Sequence, residues 1–294
     1  MPALPEHQGD YALLAIGVLG ASTSPPLIAA ATAPALAIAF WRTGAAAVIL
    51  APFLFARGIG AVPRRALALA LLAGAALAIH FGTFIPSLSY TSVSSATALV
   101  CSQAVWAALL GRVLGERLPA RAWVGVGVCF AGVMLITGVD VSLDARALAG
   151  DALAFAGGVF GGVYIVTGGF VRRDLNTLAY TVICYGTCAL LLLGVCLVAG
   201  VPLGGYSELD WLRIAAITVL GQLIGHSLFN FVLRSISPTI VSLSGLFTVP
   251  LASIIAAVAL SQTPPAAAVP ALVLLLAGTA LVINARARAS AAAA

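Results

Sequence analysis

Ten runs of mainly apolar residues follow one another along this chain of 294 residues. A helix needs about 20 such residues to cross the ~30 Å hydrocarbon core of a membrane, whereas a barrel strand needs about half as many. Charged residues make up only 8% of the sequence, too few to cover a soluble domain. We therefore predict an all-α membrane protein with ten transmembrane helices, at residues 11–31, 35–55, 66–86, 92–111, 122–137, 151–170, 178–198, 211–233, 238–260 and 267–285.

The sequence contains one stretch twice. Seven residues between Leu114 and Leu135 recur 146 positions later, and the same offset relates His80 to His226. The beginnings of the two halves also match, at a slightly smaller offset. We therefore predict one membrane domain made of two five-helix repeats, residues 1–148 and 149–294. Because five is an odd number, the second repeat is predicted to be inverted, as in many secondary transporters.

The arginines predict the orientation of the protein. All fourteen basic residues are Arg; eleven lie in the loops and tail on one side of the predicted helices, and only Arg146 and Arg213 lie in the loops on the other. Loops rich in basic residues stay in the cytoplasm. We therefore expect a multi-pass protein of the bacterial inner membrane with both termini in the cytoplasm. The first apolar run lacks the features of a signal peptide and is expected to remain in the mature protein.

Two positions are candidates for hinges or gates. Pro25 and Pro26 lie in the middle of the first predicted helix, where proline removes backbone donors and kinks or breaks a helix. The carbonyls that such a break frees must face protein or water, so these prolines are predicted to form a hinge. Glu116 lies at a predicted helix junction as a candidate gate, and a local ion pair with Arg117 is its alternative role.

Several short motifs resemble those of a known family. They are the run from Leu88 to Ser92, the run from Leu114 to Leu118, and the landmarks Phe40-Trp41-Arg42, Gly150-Asp151 and Pro250. Together with ten helices and two repeats, they resemble the EamA-type repeat of the drug/metabolite transporter superfamily. The first half departs from the pattern at Ala104 and the second at Gln262. The chain looks most similar to bacterial amino-acid and metabolite exporters of the YddG type, which export aromatic amino acids; this resemblance implies a central cavity between the halves and alternating access.

His80 and His226 are the strongest candidates for a substrate site. Counting residues at ~1.5 Å each puts both past the midplane, on opposite sides of it, where they could face one cavity. Ionisable groups at this depth are costly and are functional candidates. The alternative is a neutral imidazole hydrogen-bonded between helices, and the polar stripe that Gln222 and Asn230 form with His226 could serve packing alone.

Arg42 lies well inside the second predicted helix, whereas the other arginines lie in loops, tails or the first turn of a helix. Near the outer end of the second helix, it could reach the membrane interface, or it could attract a substrate carboxylate. Further candidates for substrate contact are polar or aromatic residues of the predicted helices, for which interfacial anchoring or packing is the alternative: Phe84, Gln103, Trp106, Tyr164 and Asn230.

Several residue types and motifs are missing from the predicted helices, and their absence excludes some classes of function. No Asp or Glu lies centrally in a predicted helix, so a carboxylate proton relay has no candidate. The five cysteines lie inside apolar runs, which favours packing over a metal site, and neither a catalytic constellation nor an ATPase motif is visible. We predict a monomeric carrier in the lipid bilayer, without cofactor, nucleic acid or enzymatic activity. It is expected to export aromatic or neutral amino acids or related metabolites by facilitated transport, without a coupled ion. The alternative is an exporter of cationic drugs or other metabolites, coupled to protons through the histidines.

Overall fold

The structure, a computed structural model, describes residues 8–58, 62–115, 118–138, 144–262 and 268–293. This part of the chain is helical and contains no strand. Eight helices are long and apolar enough to cross a membrane, and two contain the shorter apolar stretches Ala120–Gly132 and Val269–Ala285. The prediction of an all-α membrane protein is therefore confirmed. In chain order the helices are α1 Gln8–Ala30, α2 Ala35–Arg57, α3 Arg64–Ser87, α4 Val93–Val113, α5 Ala120–Gly138, α6 Ala145–Asp174, α7 Thr177–Val198, α8 Glu208–Val232, α9 Pro238–Leu260 and α10 Ala268–Ala293.

Side-chain caps fix where several helices begin. The side chains of Ser92, Asn176, Ser207 and Ser237 each accept a hydrogen bond from a backbone N–H in the first turn of α4, α7, α8 and α9. Asp144 does the same for α6, which therefore starts six residues before the predicted position 151. An apolar run marks only the part of a helix inside the hydrocarbon, whereas the cap marks the true helix start.

Four helices are interrupted. Helix α1 breaks at Thr23, directly before Pro25 and Pro26, as the sequence predicted. Helix α4 breaks between Val100 and Gln103, and α9 contains a 3₁₀ turn at Gly245–Phe247. In α8, the π-helix Ile217–His226 replaces regular α-helix. Pro250 lies three residues after the 3₁₀ turn of α9, whereas no proline lies within α4 or α8. None of these three irregularities was predicted from the sequence.

Helices at equivalent positions in the two halves pack against each other. The pairs α2 with α7, α4 with α9 and α5 with α10 are in contact, while α1 packs on α8 and α3 packs on α6. Residues 146 positions apart meet at two places: the His80 and His226 ring centres are 6.3 Å apart, and Cys129 Sγ lies 3.7 Å from the Leu275 carbonyl oxygen. Such contacts are what a pseudo-two-fold relation between the halves requires.

Small residues allow α5 and α10 to approach closely. A Cβ atom added at Gly125 would lie 2.6 Å from the Gly278 carbonyl oxygen, whereas one added at Gly127, half a turn further along the same helix, would meet nothing within 4 Å. Helix pairs in membranes are held by packing of this kind, since lipid supplies no hydrophobic force between helices.

We predict that Gly125→Ala destabilises the protein and Gly127→Ala does not. Overpacking of a close contact costs about 1–3 kcal/mol, while alanine at an unhindered helix position is neutral or favourable. Thermal unfolding of the purified variants in detergent measures the difference. Equal unfolding midpoints for the two variants would show that this contact does not limit stability.

Candidate functional site: a small central cavity

The four interrupted helices border one small cavity. Its volume is about 70 Å³, enough for about two water molecules at ~30 Å³ each. Drug-sized ligands occupy roughly 300–1,000 Å³, so the cavity is too small for such a ligand in this conformation. The lining residues are Ala21, Ser24, Pro25, Arg42, His80, Phe81, Phe84, Thr97, Val100, Cys101, Gln103, His226, Phe229, Gly245 and Thr248.

Arg42 lies inside the protein, and the expectation that it could reach the membrane interface is wrong. Its side chain is 1% exposed. Its Nε donates a hydrogen bond of 3.0 Å to Gln222 Oε1, and its guanidinium carbon lies 4.2 Å from the centre of the Phe81 ring. Counting residues along α2 gave its depth but not the direction it faces; the buried stripe of Ile38, Arg42 and Ala46 shows that this side of α2 faces the other helices.

No described carboxylate pairs with Arg42. Within the described ranges, the ion pair that the structure contains joins Arg213 to Asp210, at 3.1 Å. Asp210 also accepts hydrogen bonds from the backbone and the hydroxyl of Thr32, so it is engaged at the start of α8. A buried guanidinium without a counter-ion is costly, and sites of this kind are strong candidates for binding an anion.

The two histidines meet at the cavity, as their shared offset suggested. His80 lies on α3 and is 6% exposed, and its Nδ1 lies 2.8 Å from the carbonyl oxygen of Gly157 on α6. The ring of His226 packs at 5.1 Å from Phe81 and 5.9 Å from Tyr164, measured between ring centres. The Nδ1 atom of His226 is buried and has no hydrogen-bond partner in the described part of the chain. Both imidazoles therefore lie beside the same ring as Arg42.

Tyr164 and Asn230 form a layer next to the cavity instead of lining it. The Tyr164 hydroxyl donates a 2.6 Å hydrogen bond to Asn230 Oδ1, and Arg172 Nε donates one of 2.9 Å to the Asn230 carbonyl oxygen. A larger cavity of about 470 Å³ begins two residues beyond Tyr164 on α6 and three beyond Asn230 on α8, at Val166 and Leu233. The Tyr164–Asn230 hydrogen bond therefore lies between the central cavity and this outer one.

The outer cavity opens at the end of the bundle that carries most of the arginines. It lies where the ends of α4, α6 and α8 meet the start of α9, and Arg173 and Arg234 contribute to its wall. We call it the arginine-lined vestibule.

The remaining predicted site residues divide into three groups. Pro25, Phe84 and Gln103 line the central cavity. Trp106 does not: its ring packs 6.0 Å from that of Phe155. Pro26 is buried beside Pro25 without lining the cavity, and Glu116, with Arg117, lies outside the described residues.

Sequence reasoning missed several residues of the cavity wall. Phe81, directly after His80, contacts both Arg42 and His226. The hydroxyls of Ser24 and Thr97 are buried with no hydrogen-bond partner among the described residues. Ser24 precedes the two prolines at the break in α1, and this position was the available signal for it.

A small cavity bordered by interrupted helices, with a larger vestibule at one end of the bundle, suits a membrane transporter. Comparison with known proteins supports that class and points away from an enzyme. The chain belongs to the EamA-like transporter family, whose model matches residues 10–138 and again residues 148–284. The resemblance seen in its motifs is thereby confirmed.

Two known proteins are similar to the chain. An uncharacterized transporter of Archaeoglobus fulgidus is 31% identical over 160 residues, which cover 52% of this chain and 55% of the relative. The match thus spans about half the length of that curated relative. A protein of known crystal structure aligns with a TM-score of 0.74 over 95% of this chain and 98% of its own, at 19% identity. At this identity the similarity shows the fold alone.

We predict that Tyr164→Phe opens the layer between vestibule and cavity. The change removes the hydroxyl that satisfies buried Asn230 Oδ1, at a cost of about 1–3 kcal/mol to the closed arrangement. Cys101 lines the central cavity, so its modification by a small maleimide reports access. Mass spectrometry should show faster modification of Cys101 in Tyr164→Phe than in the wild type.

Tyr11→Phe is the matched control, since Tyr11 is 37% exposed near the start of α1. It should leave the rate of Cys101 modification unchanged. A Tyr164→Phe variant in which Cys101 reacts at the wild-type rate would show that the barrier lies elsewhere.

Proposed function

We propose that this protein exports amino acids, aromatic or neutral, or closely related small metabolites, by alternating access without a coupled ion. The observation that carries this proposal is the guanidinium of Arg42, fully buried in the wall of the central cavity and unpaired with any described carboxylate. A substrate carboxylate would supply the missing negative charge. The proposal assigns the protein to transport and not to catalysis.

The rest of the cavity wall suits such a substrate. The hydroxyls of Ser24 and Thr97 have no hydrogen-bond partner among the described residues, and both residues line the same cavity as Arg42. Charge-assisted hydrogen bonds from an arginine are about twice as strong as neutral ones, and its planar fork matches a carboxylate. Phe81, Phe84 and Phe229 add aromatic surface that could pack on an apolar side chain.

The geometry disfavours the alternative, an exporter of cationic drugs. A permanent positive charge at the cavity repels a cation, and no Asp or Glu of the described residues lines the cavity to offset it. Coupling to protons through His80 and His226 remains the rival to simple facilitated export, and transport measured with and without a pH gradient distinguishes the two.

Alternating access requires that the closed cavity open to each side in turn. The cavity of about 70 Å³ is too small for an aromatic amino acid, whereas the arginine-lined vestibule of about 470 Å³ is large enough. On this proposal, the breaks in α1, α4 and α9 are hinges, with Pro25 and Pro26 forming the one in α1.

We predict that Arg42→Met abolishes transport without harming the fold. Loss of hydrogen bonds to a charged group costs about 1.5–3 kcal/mol, equivalent to roughly 10- to 150-fold in affinity. Removal of the buried charge should offset the loss of the hydrogen bond to Gln222, so the unfolding temperature should change little. Flux of labelled amino acids into proteoliposomes, with and without a pH gradient, and thermal unfolding in detergent measure the two effects.

Arg146→Met is the control, because Arg146 is exposed at the start of α6 and contacts the Ser89 carbonyl oxygen and the Tyr90 ring. It should transport like the wild type. Saturable flux in the wild type without a gradient would support facilitated export. Wild-type flux by Arg42→Met, or no amino-acid flux by folded wild-type protein, would contradict the proposal.

We further propose that the protein lies in the bacterial inner membrane as a monomer, with both termini in the cytoplasm. Residues 1–148 and 149–294 would form the two inverted units. The count of eleven arginines against two supports this orientation.

Two single cysteines test the orientation. Arg65 and Glu208 are exposed at the starts of α3 and α8, which the proposal places on opposite sides of the membrane. In spheroplasts, a membrane-impermeant maleimide should label Glu208→Cys at once and Arg65→Cys only after permeabilisation. The wild type is the control, since all five native cysteines are buried. The reverse labelling pattern would invert the topology.

A further inference from the structure

The contact between His80 and Gly157 defines which nitrogen of His80 is free. A backbone carbonyl can only accept a hydrogen bond, so the 2.8 Å contact means that Nδ1 carries the proton. The imidazole stays uncharged, because a second positive charge beside Arg42, with no described acid at the cavity, is electrostatically unfavourable. In a neutral imidazole the other nitrogen, Nε2, then carries a lone pair and can only accept.

The surroundings of His80 hold this arrangement in place. A Cβ atom at Gly161 would lie 2.9 Å from His80 Nδ1 and 2.5 Å from Gln103 Oε1, so only glycine lets α6 come this close. On another side, the ring of Phe84 stacks on the imidazole, with ring centres 6.0 Å apart and planes inclined by 25°. The imidazole of His80 therefore has little freedom to rotate about its Cβ–Cγ bond.

The lone pair of Nε2 has no donor within the described part of the chain. The hydrogen bond that the structure gives the imidazole of His80 is the one from Nδ1, and Nε2 is not among the buried atoms without a partner. Since His80 lines the central cavity, Nε2 is an acceptor available to a ligand there.

This acceptor and the guanidinium of Arg42 flank one aromatic ring. The centre of the Phe81 ring lies 4.2 Å from the guanidinium carbon of Arg42 and 4.9 Å from the centre of the His80 ring. An α-amino acid carries its carboxylate and its ammonium on the same carbon atom, so a single compact ligand can reach both groups. The cavity thus places a charged donor and a neutral acceptor beside the same aromatic ring.

We propose that His80 Nε2 accepts a hydrogen bond from the α-ammonium group of the substrate, and that the site thereby selects α-amino acids over carboxylic acids without the amine. The inference rests on the proposed function, because it presupposes that Arg42 binds the carboxylate. It assigns His80 a specificity role within that site.

A neutral acceptor suits a carrier. A carboxylate in the place of His80 would pair with Arg42 in the empty site and compete with the substrate for it. An imidazole leaves Arg42 unpaired until the substrate arrives, and a hydrogen bond from ammonium to a neutral nitrogen is weak enough to break on release. The loss of one hydrogen bond to a charged group corresponds to about 10- to 100-fold in affinity.

The test compares L-phenylalanine with 3-phenylpropionate, the same acid without the amine, and with 3-phenyllactate, which carries a hydroxyl instead. Ligand-induced shifts of the unfolding midpoint give the affinities of purified protein without requiring transport. We expect the wild type to bind phenylalanine at least 10-fold more tightly than 3-phenylpropionate, with 3-phenyllactate between them. In His80→Leu the preference should fall to about threefold or less, through weaker phenylalanine binding alone.

Two further variants complete the design. Thr83→Val is the control on the same helix, because the Thr83 hydroxyl bonds to backbone carbonyls of α3 and does not line the cavity; it should keep the wild-type preference. His80→Gln places an amide oxygen near the position of Nε2. It should restore part of the preference for phenylalanine over 3-phenylpropionate.

The possible outcomes distinguish failure of the role of His80 from failure of the proposed function. Equal binding of phenylalanine and 3-phenylpropionate by the wild type overturns the role of His80, even if no variant folds, and leaves the carboxylate site standing. A preference that survives His80→Leu assigns the amine to another acceptor and also overturns it. If the folded wild type binds neither ligand nor any other amino acid, the proposed function itself fails.

Discussion

In the hydrocarbon of a membrane, every backbone N–H and C=O group must find its partner inside the protein, and this requirement decides where the helices of this bundle can break. The breaks in α1, α4 and α9 and the π segment of α8 all border one central cavity. The helices α5 and α10 show no such break in the described residues, and they pack through small residues. Within the described residues, the fold therefore places these helix irregularities around the central cavity, where the freed polar groups can serve a ligand.

The guanidinium of Arg42 is also incompletely hydrogen-bonded at this cavity. A guanidinium with one side-chain hydrogen bond, to Gln222, and an aromatic ring beside it is less well satisfied than Arg172, which bonds to the carbonyl oxygens of Asn230 and Leu175. Arg172 ties α6 to α8 and to the turn that follows α6, whereas Arg42 leaves donor capacity unused toward the cavity. Arg172 therefore stabilises the fold, whereas the buried charge of Arg42 lowers the stability of the folded protein.

The sequence predicted the features that depend on local chemistry and missed those that depend on contacts between helices. Apolar length gave the helices to within a few residues, apart from the early start of α6 and the end of α10, which lies eight residues beyond the predicted position. Proline gave the break in α1, and a shared offset brought His80 and His226 together. The break in α4 has no local signal: Cys101 Sγ lies 3.4 Å from the Gly245 carbonyl oxygen of α9, a contact 144 residues distant. The rotation of α2 and α4 also depends on packing, which is why Arg42 proved buried and Trp106 proved to lie away from the cavity.

The two halves share a plan but not a function at every position. Gly17 and Gly20 of α1 match Gly158 and Gly161 of α6 in the duplicated sequence. In α6, Gly161 packs against the imidazole of His80, whereas in α1 a Cβ atom at Gly20 would meet the Leu220 carbonyl oxygen, six residues before His226. The π segment of α8 includes both Leu220 and His226, while α3 is regular around His80. The duplication therefore supplied two equivalent histidines, and the change of helix type in α8 left only His80 with its Nδ1 proton anchored to a neighbouring helix.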